Sequence, residues 1–179
     1  MTRGPLVAIT CLTVSACSDR PVAPPLTDET VFVNDAIGLR FLAPAGWPVA
    51  SRAVLPTGAL PRPIILVAYQ SVGSEKPASF EVMAADVPAD ADPGRFLIEH
   101  QLGNETWKPL PPQPALVVNG ESAARWSLTR MQGKDEVRRE VTAFRRGDRV
   151  YFFIAAFAAS DAASRDSARG AVASVTWSK

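Results

Sequence analysis

Sulfur, imidazole and an excess of charge are what this chain has least of. Its 179 residues hold two cysteines, Cys11 and Cys17, and one histidine, His100. Everything after Cys17 therefore lacks the thiols for a disulfide framework and the Cys/His clusters of a zinc site. Nineteen Lys+Arg against eighteen Asp+Glu leave a formal charge of +1. That is neither the footprint of a nucleic-acid binder nor a polybasic membrane patch. The phosphate-cradling patterns Gly-x-x-x-x-Gly-Lys and Gly-x-Gly-x-x-Gly are missing, as is a Gly-x-Ser-x-Gly nucleophile elbow. What remains is 47% hydrophobic and 21% charged, with sixteen prolines and eleven glycines. Such a composition suits one packed domain with some N-terminal excess.

The N-terminal excess reads as an address. Arg3 is a short positive region, and Leu6 to Ala16 is a mostly apolar run of about eleven residues, too short to span a bilayer but suited to an export signal. The run ends in Val14-Ser15-Ala16-Cys17, which resembles the lipobox of bacterial lipoproteins. Small side chains fit a peptidase that binds an extended segment, and a Cys thiolate is the nucleophile that takes the diacylglycerol. Cys11 lacks these flanks, with Thr10 before it and Leu12 after it. The resemblance implies a signal peptide over 1–16, lipidation at Cys17 and membrane attachment through its acyl chains. Ser18 is compatible with sorting to an outer membrane. The plainer alternative is an ordinary secretory signal in which Cys17 carries no lipid. Removal of residues 1–16 takes away Arg3 and no acid, leaving eighteen charges of each sign. Attachment would then rest on acyl chains, at about 0.8 kcal/mol per buried CH₂. Residues 17–29, with Pro21, Pro24 and Pro25, form a semi-extended tether of about 3 Å per residue. A domain over 30–179 is large enough to bury close to 70% of its unfolded surface, so it can do without disulfides.

Periodicity in that domain predicts an α+β fold. Val31 to Val33 and Gly38 to Leu42 read as short strands, followed by a Pro44-Ala45-Gly46-Trp47-Pro48 reversal. Residues 53–63 read as a loop. The β-branched run from Ile64 to Gln70 predicts a central strand buried on both faces, and Phe80 to Asp86 the next strand. Asp92-Pro93 opens a helix with Gly103 as its stop. Residues 104–115 read as a Pro-stiffened loop. Ala115 to Val118, Asn119-Gly120, then Ala123 to Met131 predict a hairpin with a type I′ turn. Two more short turns lead into Val137 to Arg145 and Val150 to Phe157. The last strand has no polar face and should be covered on both sides. Ser160 or Asp161 caps a helix to about Ala173, against which Trp177 is expected to pack. An antiparallel β-sheet with helices packed on both faces would bury this order of elements.

Several of these segments, taken in order, resemble the Mog1/PsbP-like α/β/α sandwich family. They are Gly38-Leu39-Arg40-Phe41 with Pro44-Ala45-Gly46-Trp47, the Asn119-Gly120-Glu121 turn, the Arg145 to Tyr151 hairpin, and Val175-Thr176-Trp177. Family members include a photosystem extrinsic subunit, a small-GTPase-binding protein and bacterial lipoproteins. The characterised ones are binding or assembly modules rather than enzymes. The resemblance implies such a module here, with no functional residue carried over.

Candidate chemistry is sparse. His100, beside Glu99 near a helix end, is the sole imidazole base, but it more simply reads as a surface histidine. Asp86, Asp90 and Asp92 lie in one segment that lacks the Gly and distal Glu of a calcium loop, so it reads as a solvated turn with a helix cap. No metal or cofactor is expected. Arg138, Arg139, Arg145, Arg146 and Arg149 concentrate positive charge around one hairpin and form a candidate patch for an anionic partner. Alternatively, with Glu136 and Glu140 interleaved, they keep an edge strand from pairing with another chain. Asn104-Glu105-Thr106 fits a glycosylation sequon, which a bacterial lipoprotein would not use. The function expected is a lipid-anchored, non-catalytic binding or assembly module of the cell envelope, without nucleic acid. The alternatives are an envelope hydrolase, or a protein that holds a small apolar ligand beneath the Phe-rich strand.

Overall fold

The computed structural model describes residues 31–61, 65–73, 77–100 and 107–178. The signal segment, Cys17, the tether, the Gly103 stop and the Asn104 sequon lie outside these residues. The described elements run β1 (Val31–Asn34), β2 (Leu39–Leu42), β3 (Val49–Arg52), β4 (Leu66–Val72), β5 (Ala78–Asp86), α1 (Pro93–His100), β6 (Lys108–Pro109) and β7 (Leu116–Val118). They continue with β8 (Glu121–Gln132), β9 (Asp135–Arg146), β10 (Arg149–Ala158), α2 (Ala162–Ala173) and β11 (Thr176–Trp177). One sheet has eight strands, in the order β3-β4-β5-β10-β9-β8-β6, with β7 also on β8. A smaller sheet has the order β1-β2-β11.

The meander from β7 to β10 is built by its turns. Asn119 (φ 48°) and Gly120 (φ 86°) are both left-handed, as a type I′ turn requires, and they set Val118 opposite Glu121. Gly133 (φ 63°) and Gly147 (φ 61°) each take the first central position of a two-residue turn, where type II′ needs a positive φ. Each turn fixes the register of long strands, so Phe144 pairs with Tyr151 and Ala123 with Phe144.

Alternation along β10 divides the core in two. Tyr151, Phe153, Ala155 and Phe157 face one side, while Val150, Phe152 and Ile154 face the other. The first side is covered by the small sheet, through Phe32, Leu39 and Phe41, and by α2, through Ala168, Ala171 and Val172. The second side is covered by Phe96 and Leu97 of α1. The antiparallel sheet with a helix on each face is therefore present, and a second sheet shares one of those faces. Asp92 caps α1, its Oδ1 accepting from the Arg95 amide at 2.7 Å. Asp161 caps α2, accepting from both the amide and the hydroxyl of Ser164.

Four expectations need correction. β4 is not central: β3 pairs on its outer side, and Val67 and Val72 are exposed. The second-side core draws its buried strand residues from β5, β9 and β10, so it stops short of β4. β3 itself has all four residues exposed and thus no apolar period to betray it. Within the Pro-stiffened 104–115 loop lies β6, with Pro109 on a sheet edge where a missing donor is tolerated. Trp177 packs on the sheet rather than on α2: β11 extends the small sheet beside β2, which sets the indole 4.6 Å from the Tyr151 ring.

β11 also explains Gly38. Its φ of +68° is left-handed, and an added Cβ would stand 2.6 Å from Ser178 Oγ and 2.7 Å from the Ser178 carbonyl oxygen. The Gly38 carbonyl meanwhile accepts from the Ser178 amide at 2.8 Å. Gly38→Ala is expected to cost about 2 kcal/mol. Gly46→Ala, equally left-handed but with nothing within 4 Å, should cost about half as much in urea unfolding. Equal losses would refute the steric account.

Candidate functional site

The five arginines of the hairpin do not form one surface. Arg138 and Arg146 share a face of β9 but stand eight residues apart, about 27 Å along a strand. Arg139 lies on the opposite face, with its guanidinium over Trp107 at 4.4 Å. Arg145 donates to the Val87 and Ala91 carbonyls and holds the segment that leads into α1. Arg146 pairs with Glu121 at 2.7 Å and covers the Trp177 ring. Arg138 comes within 3.9 Å of Glu136.

Arg149 is buried. Its Nε donates to Asp86 Oδ1 at 2.8 Å, and the two side chains are each 9% exposed. Its remaining nitrogens donate to the Pro56 and Gly58 carbonyls, and the Leu60 amide donates to Asp86 Oδ2. The pair clamps residues 56–60 onto the end of the large sheet. The Asp86 hydrogen bond holds Arg149 above its ordinary pKa, against its own burial. Burial raises the neighbouring Tyr151 phenol above its usual range, with Arg149 and Arg146 pulling the other way. A depression of about 410 Å³ opens beside this clamp, but both of its arginines are already engaged.

The other sequence candidates also separate. Asp86 belongs to that buried pair rather than to a solvated turn, Asp92 caps α1, and Asp90 is exposed. His100 donates from Nδ1 to the Phe96 carbonyl at 2.9 Å and stacks on the Phe96 ring. Among the described residues no three His, Cys, Asp or Glu side chains converge as metal ligands.

A different place brings chemistry together. Between α2 and the β8–β10 face lies a groove of about 440 Å³, lined also by β7 and Asn119. Its space comes from small side chains. Ala155 interrupts the Phe-rich face of β10, and Ala168 faces it from α2 where a larger residue would fill the gap. Phe153 and Val172 complete an apolar floor. Polar groups enter from one row of the sheet: Arg125 pairs with Thr142, and Thr142 with Phe153, so the three stand side by side across three strands. Thr142 is 7% exposed. Among the described residues neither Arg125 nor the Thr142 hydroxyl has a hydrogen-bond or ion-pair partner. Glu140, two positions along, has both oxygens engaged by Arg169 of α2, at 2.8 and 2.7 Å. Those hydrogen bonds hold Arg169 above its ordinary pKa. Asn119 ties the hairpin turn to the connection between α2 and β11 by donating to the Val175 carbonyl at 2.7 Å.

Sequence reasoning missed this groove. The readable signal was phase: Arg125, Glu140 and Thr142 occupy the same inward alternation as Ala123 and Phe144, where a packed sheet expects apolar side chains.

Against known structures, the chain aligns with the crystal structure of the Saccharomyces cerevisiae Ran-binding protein Mog1p. The match has a TM-score of 0.53 at 13% identity and covers 84% of this chain and 95% of that one. The fold is that of Mog1p. A crystal structure from Bacteroides thetaiotaomicron VPI-5482 is also similar, with a TM-score of 0.47 at 10% identity. It covers 79% of this chain, which spans 46% of that longer one. No protein-family model and no curated protein sequence matches the chain.

The groove can bind and orient. Its one carboxylate is neutralised on both oxygens, which leaves the Thr142 hydroxyl without a base beside it. Arg125 and Thr142 are donors set against an apolar floor, a composition found in ligand sites.

Proposed function

We propose that this chain is a lipid-anchored protein of a bacterial cell envelope whose domain acts as a non-catalytic binding module. The observation that carries the binding role is the groove beneath α2, with donors on one wall and no activated nucleophile. A binding protein, Mog1p, has the same fold, which fits this reading. The anchor rests on Val14-Ser15-Ala16-Cys17 at the end of an apolar run, and Ser18 fits delivery to an outer membrane. Among the described residues no helix is long and apolar enough to cross a membrane.

The test is the intact mass of the protein extracted from membranes of an expressing bacterium, together with the phenotype of a His100→Ala/Asp90→Asn/Asp92→Asn variant. A species that begins at Cys17 and is heavier by acyl chains is expected, with the triple variant complementing a deletion fully. A soluble species cleaved near residue 17 without lipid would overturn the anchor. Loss of complementation by a folded triple variant would favour the envelope hydrolase.

A further inference from the structure

We propose that the groove beneath α2 binds the carboxylate end of a medium-chain amphiphile, such as a fatty acid, with Arg125 and Thr142 on the carboxylate and the apolar floor along the tail. The inference deepens the binding-module reading and rests on it.

Charge is the first argument. A guanidinium in a half-closed groove attracts an anion, and the carboxylate nearest along the strand is committed to Arg169 through both oxygens. The groove therefore carries one uncompensated positive charge, on Arg125. Planar two-point recognition of a carboxylate is what guanidinium geometry favours.

Thr142 is the second. Thr142 lines the groove, and a hydroxyl there can donate to an anion. This one sits directly opposite Arg125 in the strand register, at a Cβ separation of about 5 Å. A carboxylate oxygen accepting from the guanidinium can also accept from that hydroxyl.

Shape is the third. Phe153, Ala155, Ala168 and Val172 line the apolar part of the groove, which reaches Leu116 of β7. A cavity near 440 Å³ falls at the small end of ligand sites, which run from about 300 to 1,000 Å³. That suits a single medium-length chain rather than a two-tailed phospholipid. An anchored protein would stand beside a plentiful source of such molecules.

The experiment is photolabelling of the full-length protein in membranes of expressing cells. The probe is decanoic acid carrying a diazirine on its tail, and labelled peptides are mapped by mass spectrometry. Label is expected in the segments 116–125 and 153–172, displaced by excess decanoate but not by decanol or decyltrimethylammonium. Arg125→Met should weaken displacement by decanoate at least tenfold, the scale of a lost charge-assisted hydrogen bond. Arg125→Lys should keep it within a few-fold, and Thr142→Val should show a smaller loss. Arg165→Met, an α2 arginine paired with Asp166, should change nothing. Ala168→Leu, which narrows the groove without touching Arg125, should abolish labelling and guards against misreading an unfolded Arg125 variant. Equal displacement by decanol, unchanged affinity in Arg125→Met, or label confined to other segments would each overturn the proposal. None of these results alters the intact mass or the complementation of the His100/Asp90/Asp92 variant, so failure here is distinguishable from failure of the module reading.

Discussion

Phe153→Ala is expected to destabilise the domain by about 3–5 kcal/mol, the cost of a large cavity in a core that cannot collapse around it. Phe153 is 1% exposed on the central strand β10. Its ring stands 5.5 Å from Phe41 of the small sheet, 6.3 Å from Phe80 of β5 and 5.4 Å from Phe144 of β9. It is thus a direct link between the two sheets, and its edge-on contacts add to the area it buries. For a domain of this size the loss lowers the melting temperature by roughly 10 °C, readable by circular dichroism. The control is Met131→Ala: Met131 is 65% exposed, so that change should stay within about 0.5 kcal/mol. A Phe153→Ala loss below about 1 kcal/mol would mean the two sheets do not depend on this ring.

The second large effect concerns the clamp. Asp86→Ala leaves Arg149 buried and charged without its carboxylate, which should cost about 3–5 kcal/mol. The cost reflects an uncompensated buried charge rather than the net worth of the pair. The double variant Asp86→Ala/Arg149→Met should therefore recover a substantial part of the loss, and a double-mutant cycle in urea measures the coupling. Hydrogen exchange offers a local readout. The Leu60 amide donates to Asp86, and its protection should fall in Asp86→Ala ahead of the amides of β10. If the double variant is no more stable than the single one, the pair's role is hydrogen bonding to the 56–60 loop rather than charge compensation.

The contrast between these two sites shows what could be read in advance. The Phe-rich strand was legible as doubly covered, because Tyr151 to Phe157 offers no polar face. Arg149, four residues from Phe153, looked like one of five surface charges. Nothing local separates it from Arg146 or Arg138. What buries it is Asp86 and the 56–60 carbonyls, more than sixty residues away in sequence. The groove was missed, because nothing local says that Ala155 would face Ala168 or that Arg125 and Thr142 would share a row.

The sequence by itself determined the β7–β10 meander, the cap at Asp92, a second cap at Ser160 or Asp161, and the α+β class with a helix on each face. These follow from short-range chemistry: positive φ at Asn119 and Gly120, side chains that satisfy helix amides, and an apolar period of two. Tertiary structure alone decided the split into two sheets, the edge position of β3 beside a non-central β4, the docking of Trp177 on the sheet, the burial of Arg149 and the opening beneath α2. Each of these depends on which distant segment meets which face. A strand's own residues state how it alternates, but only the assembled fold states what lies across from it.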